Sequence, residues 1–135
     1  MASQIDNNYR TFLVSTGYSG GLAGATTGGI SAYLAVNIQS DGTITPANAA
    51  TSNGQGILQE DVQAGQYGRV KLWTGSGTFM AMISGSAITP GTQYAIITGG
   101  YVGTASAGGG YAASVTALET SSSVTNGLIL EFSEI

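Results

Sequence analysis

Apolar and polar residues alternate with a period of two in several short stretches of the chain. In residues 128–133 the large apolar side chains, Leu128, Leu130 and Phe132, occupy every second position. Residues 69–73 alternate in the same way. This period is typical of a strand with one buried face. The predicted core accordingly includes Val70, Leu72, Ile96, Leu128, Leu130 and Phe132.

Turn signals separate these stretches at intervals of about 8–12 residues, as in small antiparallel sandwiches and barrels. Asp41-Gly42 predicts a tight hairpin, and residues 74–77 predict another between 68–73 and 78–84. Further turns are predicted at Thr89-Pro90-Gly91, Gly99-Gly100 and Asn126-Gly127. We therefore expect an all-β fold, a small antiparallel sandwich or barrel with Gly-rich loops or arms and at most one or two short helices.

The composition supports strands over helices and excludes several functions. The 22 Gly residues interrupt helix-length windows, and only 7% of residues carry charge. Three Lys and Arg against seven Asp and Glu cannot hold a polyanion, so we expect no nucleic-acid partner. Apolar runs reach about five residues, far short of the ~20 that span a bilayer, so no membrane partner is expected.

The residues that usually carry catalysis are absent or scattered. The chain has neither Cys nor His, which excludes thiolate zinc sites and a Ser-His-Asp triad. Glu60 and Asp61 are adjacent, but on a strand their side chains point to opposite faces. No Gly pair is followed by Lys-Ser or Lys-Thr as in a phosphate-binding loop. We expect no enzyme activity, no cofactor and no metal.

The Gly-rich stretch at residues 16–29 suggests a division of the chain. Residues 1–29 are predicted to form an N-terminal segment with a Gly-rich arm, and residues 30–135 a β domain. The arm is either a flexible connector or a segment that orders on a partner. No internal repeat of about 20–50 residues, the period of solenoids and propellers, is evident.

Candidate interface residues lie on two neighbouring stretches. Arg69, Lys71 and Trp73 share one strand face, and Trp and Arg are enriched at interface hot spots. Residues 79–83 are apolar on both faces of a strand and need cover on both sides. The predicted interface set is Arg69, Lys71, Trp73, Phe79, Met80 and Met82.

Three segments resemble the capsid cement, or head decoration, proteins of tailed phages. Residues 56–72 are similar to that family's Gly-apolar-apolar run, which is followed by Asp, Ala-Gly and a Gly-x-Val-x-apolar strand. Residues 84–94 are similar to its Ile-x-x-Gly-x-x-Tyr turn, and residues 127–132 to its last strand. The resemblance covers about residues 53–135; the first fifty residues share only composition with the family.

The resemblance implies a structural virion protein on the outer surface of an icosahedral phage capsid. Its partners would be the major capsid protein and two further copies of itself in a homotrimer, and it would brace the shell against packed DNA. Two alternatives remain open. One is another phage structural part, a tail tube subunit or fibre module. The other is a small carbohydrate-binding module that uses Trp73 and some of the seven Tyr as stacking platforms.

Overall fold

The computed structural model describes residues 9–16, 18, 28–47, 54–73, 77–84, 87–97, 99–104, 115–120 and 126–134. All regular structure in this part of the chain is β, which confirms the predicted all-β class. The twelve strands are β1 Tyr9–Val14, β2 Gly29–Ile30, β3 Ala35–Ile38, β4 Thr43–Pro46, β5 Gly56–Leu58, β6 Val62–Gln63, β7 Tyr67–Leu72, β8 Thr78–Ser84, β9 Gln93–Ile96, β10 Val102–Gly103, β11 Val115–Ala117 and β12 Asn126–Glu134.

Ten of these strands close into two five-stranded barrels. The first barrel has the order β1-β4-β3-β5-β7, and the second has the order β10-β8-β12-β11-β9. Closure removes the sheet edges that would otherwise expose unpaired backbone groups. The remaining strands, β2 and β6, form a small antiparallel pair. Each barrel is mixed, with one parallel pair, β1 with β4 and β8 with β10.

The two barrels have the same topology. Strands β1, β3, β4, β5 and β7 of the first correspond in order to β8, β9, β10, β11 and β12 of the second, and every pairing in one has its equivalent in the other. The register also agrees, since Arg10 lies opposite Val70 where Phe79 lies opposite Phe132. The chain is therefore a structural duplication, and its unit is longer than the repeats sought in the sequence.

The hairpins of the two barrels match bond for bond. In the β3–β4 hairpin Gln39 N donates to Thr43 O (2.8 Å), and in the β9–β10 hairpin Ile97 N donates to Tyr101 O (2.8 Å). Gly42 and Gly100 occupy equivalent turn positions with φ of 84° and 86°, where L side chains are strained. The hairpin predicted from Asp41-Gly42 and the turn predicted at Gly99-Gly100 are therefore confirmed.

An equivalent pair of turns precedes these hairpins, and one of them holds a non-glycine residue. Tyr33 N donates to Leu58 O (2.7 Å) in the first barrel, and Gly91 N donates to Ala117 O (2.9 Å) in the second. Both donor residues have a positive φ, 81° at Gly91 and 67° at Tyr33. A tyrosine in this region costs about 1–2 kcal/mol, so tertiary contacts must hold it there.

The two barrels are packed into one body. The core of the second barrel extends to Ala35, Ala47 and Ile57 of the first, and Met82 of the second packs against the core of the first. Backbone hydrogen bonds cross the junction. They are Met82 N to Tyr33 O (2.8 Å), Ala35 N to Gly100 O (2.8 Å) and Gly99 N to Ala47 O (3.0 Å).

Most of the predicted core is buried, but Leu128 is not. Val70, Ile96, Leu130 and Phe132 are buried, and Leu72 is partly buried against the first core. Leu128 is 38% exposed, so its predicted core position is wrong. The register of β12 against β8 shifts between Asn126 and Ile129, and such an irregularity breaks the period-two alternation before Leu130.

The predicted hairpin across residues 74–77 is also wrong. Strand β7 pairs with β1 and β5 in the first barrel, whereas β8 pairs with β10 and β12 in the second. Strands β7 and β8 therefore belong to different barrels and do not pair with each other, and residues 74–76 lie outside the described residues. A local Gly-rich signal does not distinguish a hairpin turn from a connection between two barrels, because both need the same backbone freedom.

The segment placed before the β domain contributes a barrel strand. Tyr9–Val14 forms β1, which pairs with β7 and β4 and is required to close the first barrel. A boundary at residue 30 therefore separates this strand from the barrel to which it belongs. Of the predicted Gly-rich arm, residues 17 and 19–27 lie outside the described residues, and Gly29 belongs to β2.

Candidate interaction surface

Arg69 lies on the outer face of the first barrel. Strand β7 alternates so that Gly68 and Val70 are buried while Tyr67 and Arg69 are exposed. The Arg69 guanidinium lies 4.8 Å from the centre of the Tyr9 ring, a cation–π contact that holds the side chain along β1. Thr11 is its direct neighbour across the strands. The predicted surface position of Arg69 is thus occupied by an exposed, oriented cation.

Lys71, two residues further on, is engaged within the chain. Its Nζ lies 3.2 Å from Oε2 of Glu134, and the two side chains are 13% and 6% exposed. Since Lys71 belongs to β7 and Glu134 to β12, the ion pair joins the two barrels. The structure therefore does not place Lys71 beside Arg69 as a second free cation.

Trp73 is packed inward. Its ring meets Phe79 edge to face with centroids 5.1 Å apart, and its Nε1 donates to Gly54 O (3.0 Å). Phe79 is itself only 4% exposed and stacks on Phe132. The prediction of Phe79 as an interface residue is corrected by this burial, because alternation along β8 directs its ring into the second core.

The two predicted methionines lie on the outer face of β8. Met80 is 38% exposed, and Met82 is partly buried against the first core. Of the six predicted interface residues, the structure therefore leaves Arg69 and Met80 open on the surface, on different barrels.

Sequence reasoning missed most of the exposed apolar residues. Among the described residues the exposed large hydrophobics are Tyr67, Met80, Leu118, Leu128 and Ile129. Tyr67 is 68% exposed and lies two residues before Arg69. The run Leu128-Ile129-Leu130 carried a signal, because three consecutive apolar residues on a strand cannot all face one core.

The duplication makes Glu131 the counterpart of Arg69. Arg69 N donates to Oε2 of Glu60 (3.0 Å), and Glu131 N donates to Oε2 of Glu119 (2.7 Å). The neighbouring backbone bonds match as well, Gln59 N to Arg69 O (2.9 Å) and Leu118 N to Glu131 O (3.0 Å). The same outward position thus carries a cation on one barrel and an anion on the other.

The adjacent acids Glu60 and Asp61 organise a loop. Glu60 accepts the Arg69 N–H described above, and Oδ1 of Asp61 accepts the N–H of Ala32 (2.7 Å). They border an open cleft of about 450 Å³. Among the described residues no three His, Cys, Asp or Glu side chains are grouped as a metal site would require. The described part of the chain also contains no helix long and apolar enough to cross a membrane.

Comparison with solved structures concerns the fold. The N base of head fiber gp8.5 of bacteriophage phi29, known from a crystal structure, has the same fold. The TM-score is 0.62, and the match covers 94% of this chain and 92% of that one at 18% sequence identity. No model of a known protein family matches the chain. No curated protein matches it either.

Proposed function

We propose that this chain is a structural protein of a phage virion, bound to the outer surface of the head. It acts there as a decoration protein: a homotrimer that contacts the major capsid protein and braces the shell. The observation that carries the proposal is the shared fold with the base of a phage head fibre, over nearly the full length of both chains. The resemblance of residues 53–135 to head decoration proteins supports the same location.

The surface chemistry suits a brace. A brace needs many weak, complementary contacts, and linking them through an oligomer multiplies their strength. With ten charged residues in 135, the chain presents mainly neutral groups. The exposed apolar residues Met80, Leu118 and Ile129 are of the kind that association covers.

A fibre base is the second candidate, and the same neighbour favours it, because that neighbour is the base of a head fibre. Both candidates place the chain on the head. They differ in whether further material projects from it. A tail tube subunit would place it elsewhere, and a sugar-binding module would need a free aromatic platform. Trp73 is a poor platform, since Phe79 covers one edge and Gly54 takes its N–H.

Heads lacking this protein, mixed with the purified chain, test the proposal. We expect reconstructed heads to gain three-lobed density on their outer surface and to release DNA at a higher temperature than untreated heads. A fibre base would give different densities in two samples. On virions the density would continue outward beyond the lobes, whereas on heads bound to the pure chain it would end at the lobes. Heads that gain no density, or density confined to tails, would contradict attachment to the head. A glycan array with the same preparation tests the sugar-binding alternative.

A further inference from the structure

Two equivalent outer faces carry the inference, and each is defined by its residues. The arginine face, on β1 and β7 of the first barrel, consists of Tyr9, Thr11, Leu13, Tyr67 and Arg69. The glutamate face, on β8, β11 and β12 of the second barrel, consists of Met80, Leu118, Ile129 and Glu131. Cross-strand partners share one side of a sheet, so the members of each face are neighbours.

The two faces are matched row by row. Thr11 lies opposite Arg69 where Met80 lies opposite Glu131, and Leu13 lies opposite Tyr67 where Met82 lies opposite Ile129. The duplication therefore presents the same strand positions twice, with the central charge reversed, and of these positions Met82 packs against the first core. Such reversal is what a surface needs to bind its own counterpart on another molecule.

The cations of the chain all lie in the barrel that carries Arg69. All three Lys and Arg of the chain, Arg10, Arg69 and Lys71, lie on β1 and β7, and the sequence has no cation after Lys71. On the second barrel Glu131 has Glu119 beside it, with Glu119 bound to the Glu131 N–H. Glu60 occupies the same place at the Arg69 N–H, so the two faces differ in charge at Arg69 and Glu131 themselves.

Apolar exposure is concentrated on the same two faces. Tyr67, the most exposed large hydrophobic at 68%, is on the arginine face. Met80, Leu118 and Ile129 are on the glutamate face at 38%, 44% and 37%, with Leu128 next to them along β12. Apolar contacts that exclude water strengthen a charge pair that they surround.

The geometry points to a second copy of this chain as the partner of each face. The arginine face of one copy binds the glutamate face of the next, with Arg69 paired to Glu131. A two-fold dimer that joins like faces would oppose Arg69 to Arg69 or Glu131 to Glu131, so the contact is head-to-tail. Head-to-tail contacts close into a ring when the rotation between copies closes, and otherwise continue as an open filament. That the ring has three members rests on the proposed function; the pairing of the faces does not.

Charge exchange with the purified full chain tests the pairing. The mass is measured by light scattering and sedimentation over a concentration series for the wild type, Arg69→Glu, Glu131→Arg and the double variant. We expect each single reversal to weaken association at least tenfold and the double variant to return to within about threefold of the wild type. Ser40→Glu, which adds a charge at the exposed tip of the β3–β4 hairpin, should associate as the wild type does. Far-ultraviolet circular dichroism confirms that each variant is folded.

Three results would overturn the inference. They are a wild type that stays monomeric at every concentration, single reversals that associate normally, and a double variant no better than the singles. These outcomes concern the chain alone in solution. If the faces pair as stated but heads do not bind the chain, the proposed function fails and the pairing stands. If heads bind the chain while both charge reversals leave its mass unchanged, the pairing of the faces fails and the proposed function stands.

Discussion

At the scale of single residues, Asp41 shows how hydrogen bonds within a turn lower the pKa of a carboxyl group. Oγ1 of Thr43 donates to Oδ1 of Asp41 (2.7 Å), and the Thr43 N–H donates to the same oxygen (3.0 Å). These bonds stabilise the ionised form and lower the pKa of Asp41, with the side-chain bond as the larger cause. A lowered pKa contributes stability above the carboxyl's ordinary value of about 4, and the contribution is lost as the pH falls through the folded-state pKa.

The variant Thr43→Val removes the larger of these two bonds. We expect the pKa of Asp41 to rise toward its ordinary value, because only the backbone donor remains. Carbon-detected NMR titration of the Asp41 carboxyl measures this directly. Thr45→Val, two residues further along β4, is the control and should leave the Asp41 pKa where it is. An Asp41 pKa that does not rise in Thr43→Val would show that the hydroxyl does not stabilise the carboxylate.

Tyr33 is the residue at which local preference and structure disagree. Its φ of 67° lies in a region that favours glycine, and the equivalent turn has Gly91 at this position. The Tyr33 carbonyl accepts the Met82 N–H, and the Tyr33 side chain packs on the second core. These contacts to the other barrel offset the local strain. Nothing in the sequence around Tyr33 indicated a left-handed conformation, since its cause lies about fifty residues away in β8.

At the scale of elements, β12 has one part that the local residue pattern predicts and another part that it does not. The alternation of Leu130, Glu131 and Phe132 was read correctly, because their neighbours on β8 continue in regular register. The irregularity before Ile129 depends on how β12 meets β8, which the local alternation of residues does not show. The Asp41-Gly42 and Gly99-Gly100 hairpins were predictable because, in each of them, both strands and the turn are contiguous in sequence.

Alanine substitution in β12 distinguishes its inward and outward leucines. Leu130 is 7% exposed within the second core, so Leu130→Ala should lower the free energy of unfolding by about 2–5 kcal/mol. Leu128 is 38% exposed beyond the irregularity, and Leu128→Ala should lower it by less than about 1 kcal/mol. Urea denaturation followed by tryptophan fluorescence measures both. Equal losses would mean that β12 runs in regular register through Leu128.

At the scale of the whole molecule, the sequence concealed the duplication almost completely. The equivalent positions Arg69 and Glu131 differ in charge, Tyr33 and Gly91 in backbone freedom, and Arg10 and Phe79 in polarity. What the halves share is hydrogen bonding and register, which a search for similar residues does not detect. The candidate interface was predicted only in part for the same reason. Its acidic half is recognised only because Glu131 is structurally equivalent to Arg69.

The Lys71–Glu134 ion pair links the barrels through side chains, and its removal tests how much this link contributes to stability. Lys71→Met takes the cation from a carboxylate that is 6% exposed, so we expect a loss of about 3 kcal/mol in the free energy of unfolding. The double variant K71M/E134Q should lose less than the sum of its singles, because no charge is left buried. Arg10→Met removes an exposed cation from the same barrel and should change stability by about 0.5 kcal/mol or less. Additive losses in the double variant would contradict a direct coupling.

Barrel closure also sets the order in which this chain can fold. Each barrel closes by pairing its first strand with its last, Tyr9 with Lys71 and Thr78 with Ser133. Contacts so distant in sequence form slowly, on the order of milliseconds to seconds. On the ribosome, at about 5–20 residues per second, the first barrel has all its strands several seconds before the second is complete. In that interval Ala35 and Ile57, whose cover comes from the second barrel, face water, so the nascent half-chain is the form most in need of protection from aggregation.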